Sequence, residues 1–164
     1  MKSIYILLVV GMMFSSCQDT KPKVSTLVDG ELNWLTIEQA QELQGNTDKL
    51  FLVDVYTDWC GWCKVMDKKT FTDEGIKKYL DENFYVVKFN AEQKEPITFN
   101  GKEYLWRSGG RRGVNTLAIE MLNGRLGYPS LVFLDSNLEK IKVVPGYKTP
   151  DQLMDVIKDV KAVL

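Results

Sequence analysis

The sequence lacks histidine altogether, and this absence narrows the chemistry that the protein can perform. Serine triads, cysteine nucleophiles activated by imidazole and histidine-ligated zinc sites all require that side chain. The acidic and basic residues nearly cancel, giving a net charge of −1, and no basic stripe suits nucleic acid. Any reaction must therefore use cysteine, carboxylate, lysine or tyrosine side chains.

Long apolar runs are scarce as well. One run, residues 4–14, follows Lys2 and is too short to span a membrane, but it has the pattern of a secretory signal. The sequence Phe-Ser-Ser-Cys at 14–17 resembles the cleavage box of bacterial lipoproteins, although that family usually has leucine in place of Phe14. The alternative is a plain signal peptide with an incidental cysteine.

The lipoprotein resemblance implies a signal peptide over residues 1–16 and an acyl chain on Cys17. Residues 17–30 are polar and lack a sustained period, so we predict a tether between the anchor and the fold. The predicted location is the bacterial cell envelope, facing the periplasm. Both the inner and the outer membrane remain possible.

Residues 31–164 suffice for one domain and alternate between strand and helix patterns. Two apolar runs predict buried strands, and a later pair with a short link predicts an antiparallel hairpin. The predicted strands are 50–56, 84–90, 130–134 and 141–144, with helices starting near residues 36, 60, 72, 115 and 149. This order predicts an α/β fold around a mixed sheet.

The segment of about 91–127 interrupts this order. Asn100-Gly101 lies between alternating residues and predicts a two-residue hairpin, and residues 108–113 predict a flexible loop. The segment is either a solvated excursion or an element that docks a partner next to the active site. Its aromatic and basic residues are Tyr104, Trp106, Arg107, Arg111 and Arg112.

Cys60 and Cys63 lie where a predicted strand ends and a predicted helix begins. Free backbone N–H groups and the helix dipole stabilise a thiolate there, and such sites lower the thiol pKa from about 8.5 to roughly 3.5–7.5. Cys63, one helical turn later, can attack a mixed disulfide on Cys60. The spacing predicts a redox pair in which Cys60 attacks and Cys63 resolves.

The pair has two other interpretations. A structural disulfide over so short a loop would remove little entropy from the unfolded chain. A metal site would need further soft ligands, and the sequence has one other cysteine and no histidine. No metal site is predicted, although copper(I) held by two thiolates remains an alternative.

The chain from about residue 50 to 164 resembles the thioredoxin family. Residues 59–64, Trp-Cys-Gly-Trp-Cys-Lys, follow the active-site pattern of that family, except that Trp62 replaces its usual proline. The resemblance implies a thioredoxin fold, with a central mixed sheet flanked by helices. The 91–127 segment is then an insertion before the strand that follows the cis-proline.

The resemblance also implies roles for residues beneath the cysteines. Asp54 stands where the family has a buried aspartate that assists proton transfer at the resolving cysteine, and Lys88 and Asn90 match a lysine and an asparagine beneath the same site. Asp54 could instead be a polar group satisfied within its strand. Lys88 either pairs with Asp54 or extends from its strand to solvent. The implied catalytic residues are Cys60, Cys63, Asp54 and Lys88.

Substrate contacts are implied around the cysteines. Tyr128-Pro129 matches the cis-proline loop that holds the substrate backbone, and Gly146 matches a glycine at that surface. Trp59 and Trp62 are either core packing or an apolar lip that contacts substrate. The implied substrate-binding residues are Trp59, Gly61, Trp62, Tyr128, Pro129 and Gly146.

Together these features predict a protein thiol–disulfide oxidoreductase that needs no cofactor. No histidine separates the cysteines, and a buried Asp54 raises nearby thiol pKa values, so a reducing role is favoured. The predicted partners are protein disulfides and thiols, an upstream membrane or periplasmic electron donor, and membrane lipid through acylated Cys17. We expect a monomer. The competing hypotheses are a thioredoxin-like module that binds a partner or copper(I), and a lipoprotein with a purely structural fold.

Overall fold

The two apolar runs form the centre of a four-stranded sheet in the computed structural model, which describes residues 26–46, 48–109 and 112–162. The elements, in chain order, are β1 (Leu27–Val28), β2 (Glu31–Leu32), α1 (Ile37–Glu42), β3 (Leu50–Tyr56), α2 (Gly61–Lys69), α3 (Glu74–Asn83), β4 (Phe84–Asn90), β5 (Ile97–Phe99), β6 (Lys102–Tyr104), β7 (Trp106–Arg107), β8 (Val114–Asn115), α4 (Thr116–Met121), β9 (Ser130–Leu134), β10 (Lys140–Pro145) and α5 (Pro150–Ala162).

The sheet has the order β10-β9-β3-β4. β3 and β4 are parallel across α2 and α3, whereas β9 runs antiparallel to both β3 and β10. Leu35 extends the sheet with a single parallel bridge to Val87. The predicted central mixed sheet flanked by helices is confirmed, and so are the bounds of β3, β4 and β9.

Side chains of β3 alternate between two hydrophobic layers because successive residues of a strand face opposite sides of the sheet. Phe51, Val53 and Val55 pack with α1, α4 and the hairpin of β5 and β6. Leu52 packs on the other side, with α2, α3 and α5. Asp54 has the same parity as Leu52, so its carboxylate belongs to the side that carries α2.

Helix starts follow the predicted capping residues. The Thr36 hydroxyl accepts a hydrogen bond from the Gln39 backbone N–H, while the Gln39 side chain accepts one from the Thr36 backbone N–H. Thr149 and Gln152 make the same reciprocal pair at the start of α5. These capping boxes satisfy backbone donors that would otherwise lack partners.

The predicted tether over 17–30 is wrong in its last residues. Thr26 is buried, its hydroxyl donates to the Phe84 carbonyl at 2.7 Å, and β1 pairs with β2 around a turn at Asp29-Gly30. Both turn residues have positive φ, as a two-residue hairpin requires. The Asp-Gly dipeptide was the sequence signal for this hairpin, and it was missed because the flanking strands are so short.

Segment 91–127 is an ordered part of the fold wherever the structure describes it. β5 and β6 form the predicted hairpin, with positive φ at Asn100 and Gly101. β7 pairs with β8, and α4 follows. Arg111 lies outside the described residues.

The N-terminal predictions concern residues before the described part, so the signal peptide over 1–16 and the acylation of Cys17 stay predictions. Within the described ranges, no helix combines the length and the apolar character needed to cross a membrane.

Candidate active site

Cys60 and Cys63 are joined by a disulfide at the start of α2, with their Cα atoms 5.3 Å apart. Cys60 is the N-cap of the helix, and its Sγ accepts a hydrogen bond from the Cys63 backbone N–H at 3.1 Å. A reduced Cys60 would therefore hold its thiolate beside a free backbone donor and the positive end of the helix dipole. Both residues are buried, with exposed fractions of 4% and 2%.

Asp54 lies directly opposite Lys88 in the parallel pairing of β3 and β4. The register places both side chains on the α2 side of the sheet, and Lys88 Nζ donates to Asp54 Oδ2 at 2.5 Å. The pairing alternative for Lys88 is thus confirmed. Asp54 is only 1% exposed, and its Oδ1 atom accepts no hydrogen bond from the described residues. A buried carboxylate with one unpaired oxygen is energetically costly.

Burial raises the pKa of Asp54 above its ordinary value, although the charge and hydrogen bond of Lys88 oppose the shift. Burial acts in the opposite sense on Lys88, but the two carboxylates beside it raise its pKa overall. Lys88 thus keeps its positive charge, whereas the Asp54 carboxyl holds a proton to higher pH than an exposed aspartate. A carboxyl group with a raised pKa is suited to exchanging protons near neutral pH.

Asp67 is a site residue that the sequence analysis missed. It lies four residues after Cys63 on α2, one turn further along the same helix face. Its Oδ1 atom accepts a hydrogen bond from Lys88 Nζ, and its side chain is 42% exposed. The four-residue spacing from Cys63 was the sequence signal that could have placed Asp67 near the site. Asp54, Lys88 and Asp67 form what we call the carboxylate–lysine cluster.

Three aromatic rings surround the Lys88 ammonium group. Its Nζ atom lies 4.6 Å from the ring centroid of Trp34, 5.2 Å from that of Tyr56 and 5.4 Å from that of Phe71. Aromatic faces attract a cation through their quadrupole. These rings therefore add to the two carboxylates in stabilising the charged form of Lys88.

The two tryptophans that flank Cys60 and Cys63 lie at the surface. Trp59 and Trp62 are 49% and 62% exposed, so neither ring belongs to the buried core. The Trp59 ring meets Tyr128 edge-on at 6.0 Å, and the Trp62 ring lies 5.4 Å from Tyr147. The near-buried disulfide is thus bordered by exposed aromatic rings.

The peptide bond between Tyr128 and Pro129 is cis, as the resemblance predicted. The Pro129 carbonyl accepts a hydrogen bond from the Gly146 backbone N–H at 2.8 Å, and Gly146 has a φ of +79°. Gly61 opens α2 with free space where a Cβ atom would stand. Tyr128 thus lies beside Trp59, while Gly146 is hydrogen-bonded to the backbone of Pro129.

Asn90 holds the loop before the cysteines rather than the cysteines themselves. Its side-chain amide donates to Asp58 Oδ2 at 3.1 Å, and its Oδ1 atom accepts from the Glu92 backbone N–H at 2.9 Å. Glu92 is the second residue of segment 91–127 and lies beside Trp59.

Glu92 and Arg112 bring that segment to the active site. Trp59 Nε1 donates to Glu92 Oε1 at 2.8 Å, and the Arg112 guanidinium lies 5.0 Å from the centroid of the Trp59 ring. We call Trp59, Glu92 and Arg112 the Trp59 cluster. Arg112 was noted in the sequence, but Glu92 was missed because no local pattern links it to residue 59.

Within the described ranges, no three or more cysteine, aspartate or glutamate side chains are grouped closely enough to hold a metal ion.

A family model described as "Thioredoxin-like domain" matches residues 37–161. The chain is 29% identical over 124 residues to a thiol:disulfide interchange protein DsbD of Tatumella citrea, covering 74% of this chain and 18% of that protein. It is 28% identical over 118 residues to the protein of that name from Campylobacter jejuni, covering 72% of this chain and 17% of that protein. The chain therefore spans less than a fifth of the length of these curated relatives.

Solved structures agree on the fold. A structure titled "DsbH Oxidoreductase" superimposes with a TM-score of 0.58 at 17% identity, covering 82% of this chain and 87% of that one. A thioredoxin from Thermus thermophilus gives a TM-score of 0.56 at 18% identity, covering 81% of this chain and 87% of that one. At such low identity these likenesses concern the fold alone.

Proposed function

This chain belongs to the thioredoxin-like family, and from that premise we propose that it is a thiol–disulfide oxidoreductase whose redox centre is Cys60 and Cys63. One observation carries the proposal: the cysteine pair lies at a helix N-terminus, and Asp67 on the same helix shares Lys88 with a buried carboxylate whose pKa is raised. A passive binding module or a structural disulfide has no use for a buried, poorly satisfied Asp54. The names of the thiol:disulfide interchange relatives support the same activity.

The first step is attack by the Cys60 thiolate on one sulfur of a substrate disulfide. A new bond joins Cys60 Sγ to that sulfur, the substrate bond breaks, and the second substrate sulfur leaves as a thiolate. The Cys63 N–H, which lies 3.1 Å from Cys60 Sγ, stabilises the attacking thiolate.

In the second step, the Cys63 thiol transfers its proton to the Asp54 carboxylate, and its sulfur attacks Cys60 Sγ. The mixed disulfide breaks and the remaining substrate sulfur leaves as a thiolate. The substrate gains two electrons and becomes a dithiol after protonation, while the cysteine pair becomes the disulfide present in the structure. Lys88, held charged between two carboxylates, stabilises the ionised form of Asp54 that this step needs.

We propose that the pair acts on the reducing side, on protein disulfides. An external dithiol must then reduce Cys60–Cys63 after each turnover, and an upstream membrane or periplasmic protein is the source that the predicted location favours. Asp54 supports this direction because a nearby carboxylate destabilises a thiolate on Cys60 or Cys63, and a less stable reduced pair is a stronger reductant.

The activity is tested by mixing the pre-reduced protein with a peptide disulfide and following tryptophan fluorescence by stopped flow. We expect one disulfide to be reduced per protein molecule, and none by the Cys60→Ser/Cys63→Ser double variant. Equilibration with glutathione then gives the reduction potential. Absence of exchange contradicts the activity, whereas a potential more oxidising than that of glutathione contradicts only the reducing direction.

The lipoprotein box supports an anchor in the cell envelope through acylated Cys17. A Cys17→Ala variant should move from the membrane fraction to the soluble fraction, because a single modified residue supplies the attachment. Its rate of peptide-disulfide reduction should match that of the parent, since the described fold begins after this residue. A variant that stays in membranes after a high-salt wash would point to another attachment.

A further inference from the structure

Segment 91–127 places a positive charge on the exposed side of the tryptophan that precedes Cys60. The Arg112 guanidinium lies 5.0 Å from the Trp59 ring centroid, and its Nη1 atom is 3.9 Å from Glu92 Oε2. Trp59 also meets Tyr128 of the cis-proline loop edge-on. Arg112 thus lies against an indole that is next to the disulfide.

The backbone beside Arg112 is held in place by a second tryptophan. A Cβ atom on Gly113 would lie 1.9 Å from the Trp106 ring, so the indole packs directly against the Gly113 backbone. Lys94 Nζ lies 5.8 Å from the centroid of the same ring. Asn115, just after Gly113, donates its backbone N–H to the Ala91 carbonyl at 2.7 Å. The loop is therefore fixed to Ala91, which follows β4 and precedes Glu92.

Arg112 retains the capacity to bind another anion. Its side chain is 58% exposed, and its distance of 3.9 Å from Glu92 is at the long limit for an ion pair. Glu92 is less exposed, and its other carboxylate oxygen accepts a hydrogen bond from the Trp59 indole N–H. A guanidinium has five N–H donors and binds a carboxylate through two parallel hydrogen bonds. A carboxylate that approaches from solvent would meet these donors before it met Glu92.

We propose that Arg112 is a specificity-determining residue that binds a carboxylate near the disulfide of the substrate, so that the protein reacts preferentially with disulfides flanked by Asp or Glu. The inference rests on the proposed function and deepens it. Glu92 positions Arg112 and moderates its charge. The preference follows from charge complementarity, because Arg112 is the cation presented beside Trp59 while Asp58 and Glu92 are already bound within the protein.

The test uses two peptide disulfides that differ only in Glu or Gln next to one cysteine, together with the uncharged 2-hydroxyethyl disulfide. The quantity measured is the second-order rate constant with the pre-reduced protein, expressed as the ratio of the acidic to the neutral peptide. We expect a ratio of about three to ten at low ionic strength, as for an exposed charge-assisted contact. The ratio should fall toward one in 1 M salt because salt screens exposed charges.

Three variants test whether Arg112 causes the preference for the acidic peptide. Arg112→Gln should bring the ratio close to one. Arg107→Gln removes the same charge from an exposed residue of the same hairpin and should keep the parent ratio. Glu92→Gln keeps an acceptor for the Trp59 indole but removes the competing charge, so the ratio should rise above that of the parent.

The outcomes separate this inference from the proposed function. Failure to reduce 2-hydroxyethyl disulfide overturns the oxidoreductase activity and the inference with it. Reduction of both peptides at equal rates by the parent protein overturns the inference alone. If the ratio falls equally in Arg112→Gln and Arg107→Gln, the preference is a general charge effect. If Arg112→Gln changes the reduction potential and slows all substrates alike, Arg112 acts on the cysteines. Either result overturns a substrate-binding role.

Discussion

The carboxylate–lysine cluster reaches the disulfide helix through Asp67, and the Trp59 cluster reaches Cys60 through the adjacent Trp59. The first cluster holds its charges in a buried site, whereas the second holds them at the surface. Asp54 is buried in the central sheet and paired by strand register with Lys88. Arg112 comes from a distant loop, is mostly exposed, and lies on the face of an indole. The difference suggests a division of roles, in which the buried cluster transfers protons and the exposed cluster binds substrates.

The energetics of the two clusters differ accordingly. A charge in the sheet interior is costly unless it is paired, so its position and protonation are tightly constrained. An exposed cation on an indole gains little stability and tolerates rearrangement. Substitutions in the first cluster should therefore change reaction rates and stability strongly, whereas substitutions in the second should alter preferences between substrates by less than about tenfold.

The largest effect should come from the cysteines on which both clusters act. Cys60→Ser should abolish exchange, because no nucleophile remains at the helix N-terminus. Cys63→Ser should leave the attack intact and trap the substrate as a mixed disulfide on Cys60, because the resolving thiol is gone. Non-reducing electrophoresis followed by mass spectrometry would identify the adduct. An adduct that accumulates with Cys60→Ser instead would mean that the two cysteines have the reverse roles.

The next largest effect should come from Asp54→Asn, which keeps the shape of the side chain and removes the base. The resolving step should slow by about 10²–10⁴-fold, the usual contribution of a positioned general base, while the initial attack by Cys60 changes much less. Stopped-flow fluorescence resolves the two steps with a peptide disulfide. An equally fast resolving step would show that Asp54 takes no part in proton transfer.

The same variant also tests the comparison between the clusters. Asp54→Asn should slow the acidic and neutral peptides by the same factor, because substrate charge is sensed at Arg112. A changed ratio between the two peptides would mean that the buried cluster also affects recognition, and the proposed division would fail.

The sequence predicted the buried side of this site more completely than the exposed side, for a physical reason. Asp54 and Lys88 lie in long apolar strands whose bounds the sequence predicted, and the register that pairs them places both side chains on the α2 side. The cis bond before Pro129 and the capping boxes also follow from local sequence or from the family resemblance. These features depend on short-range order or on a repeated backbone pattern.

Glu92 and Arg112 could not be paired with Trp59 in this way. Their contacts depend on how the loop between β7 and β8 folds back, which is set by Trp106 on Gly113 and by the bond from Asn115 to Ala91. No periodicity encodes such a contact. Asp67 is an intermediate case. Its helical spacing from Cys63 can be read from the sequence, but its bond to Lys88 depends on how β4 is placed in the sheet.

A smaller effect should appear in the pH dependence of stability. Because the fold raises the pKa of Asp54 from its ordinary value of 3.8, the folded state favours the protonated carboxyl. Above that pH the unfolded chain ionises first, so the parent loses stability as the pH rises through the raised pKa. Asp54→Asn avoids this loss and should be more stable at neutral pH, by about 1–3 kcal/mol, the usual cost of burying an unsatisfied polar group. Lys88 stays compensated by Asp67 in the variant.

Urea denaturation of the oxidised parent and the Asp54→Asn variant from pH 4 to pH 8 would measure this difference. The gap should be smallest at the acid end and should grow with pH. A variant that is less stable at pH 8 would mean that the pairing of Asp54 with Lys88 outweighs the cost of burying the carboxylate.

The smallest effect on activity should come from Gly113→Ala, which perturbs the exposed cluster without touching a charged residue. The new methyl group would overlap the Trp106 ring, so either the indole or the loop must shift, at a cost of about 1–3 kcal/mol for overpacking. Since Arg112 is the adjacent residue, the preference for the acidic peptide should fall toward one. The pH dependence of the resolving step should stay that of the parent, because the sheet fixes the position of Asp54.

Gly109→Ala is the matched control, since its Cβ would meet the Arg112 carbonyl oxygen at an ordinary 3.9 Å. Urea denaturation and the peptide-pair ratio would be measured for both variants. If the two variants behave alike, the packing of Trp106 on Gly113 does not position Arg112. If Gly113→Ala shifts the pH profile, the two clusters are coupled through Trp59 and the disulfide, and they form a single unit rather than two.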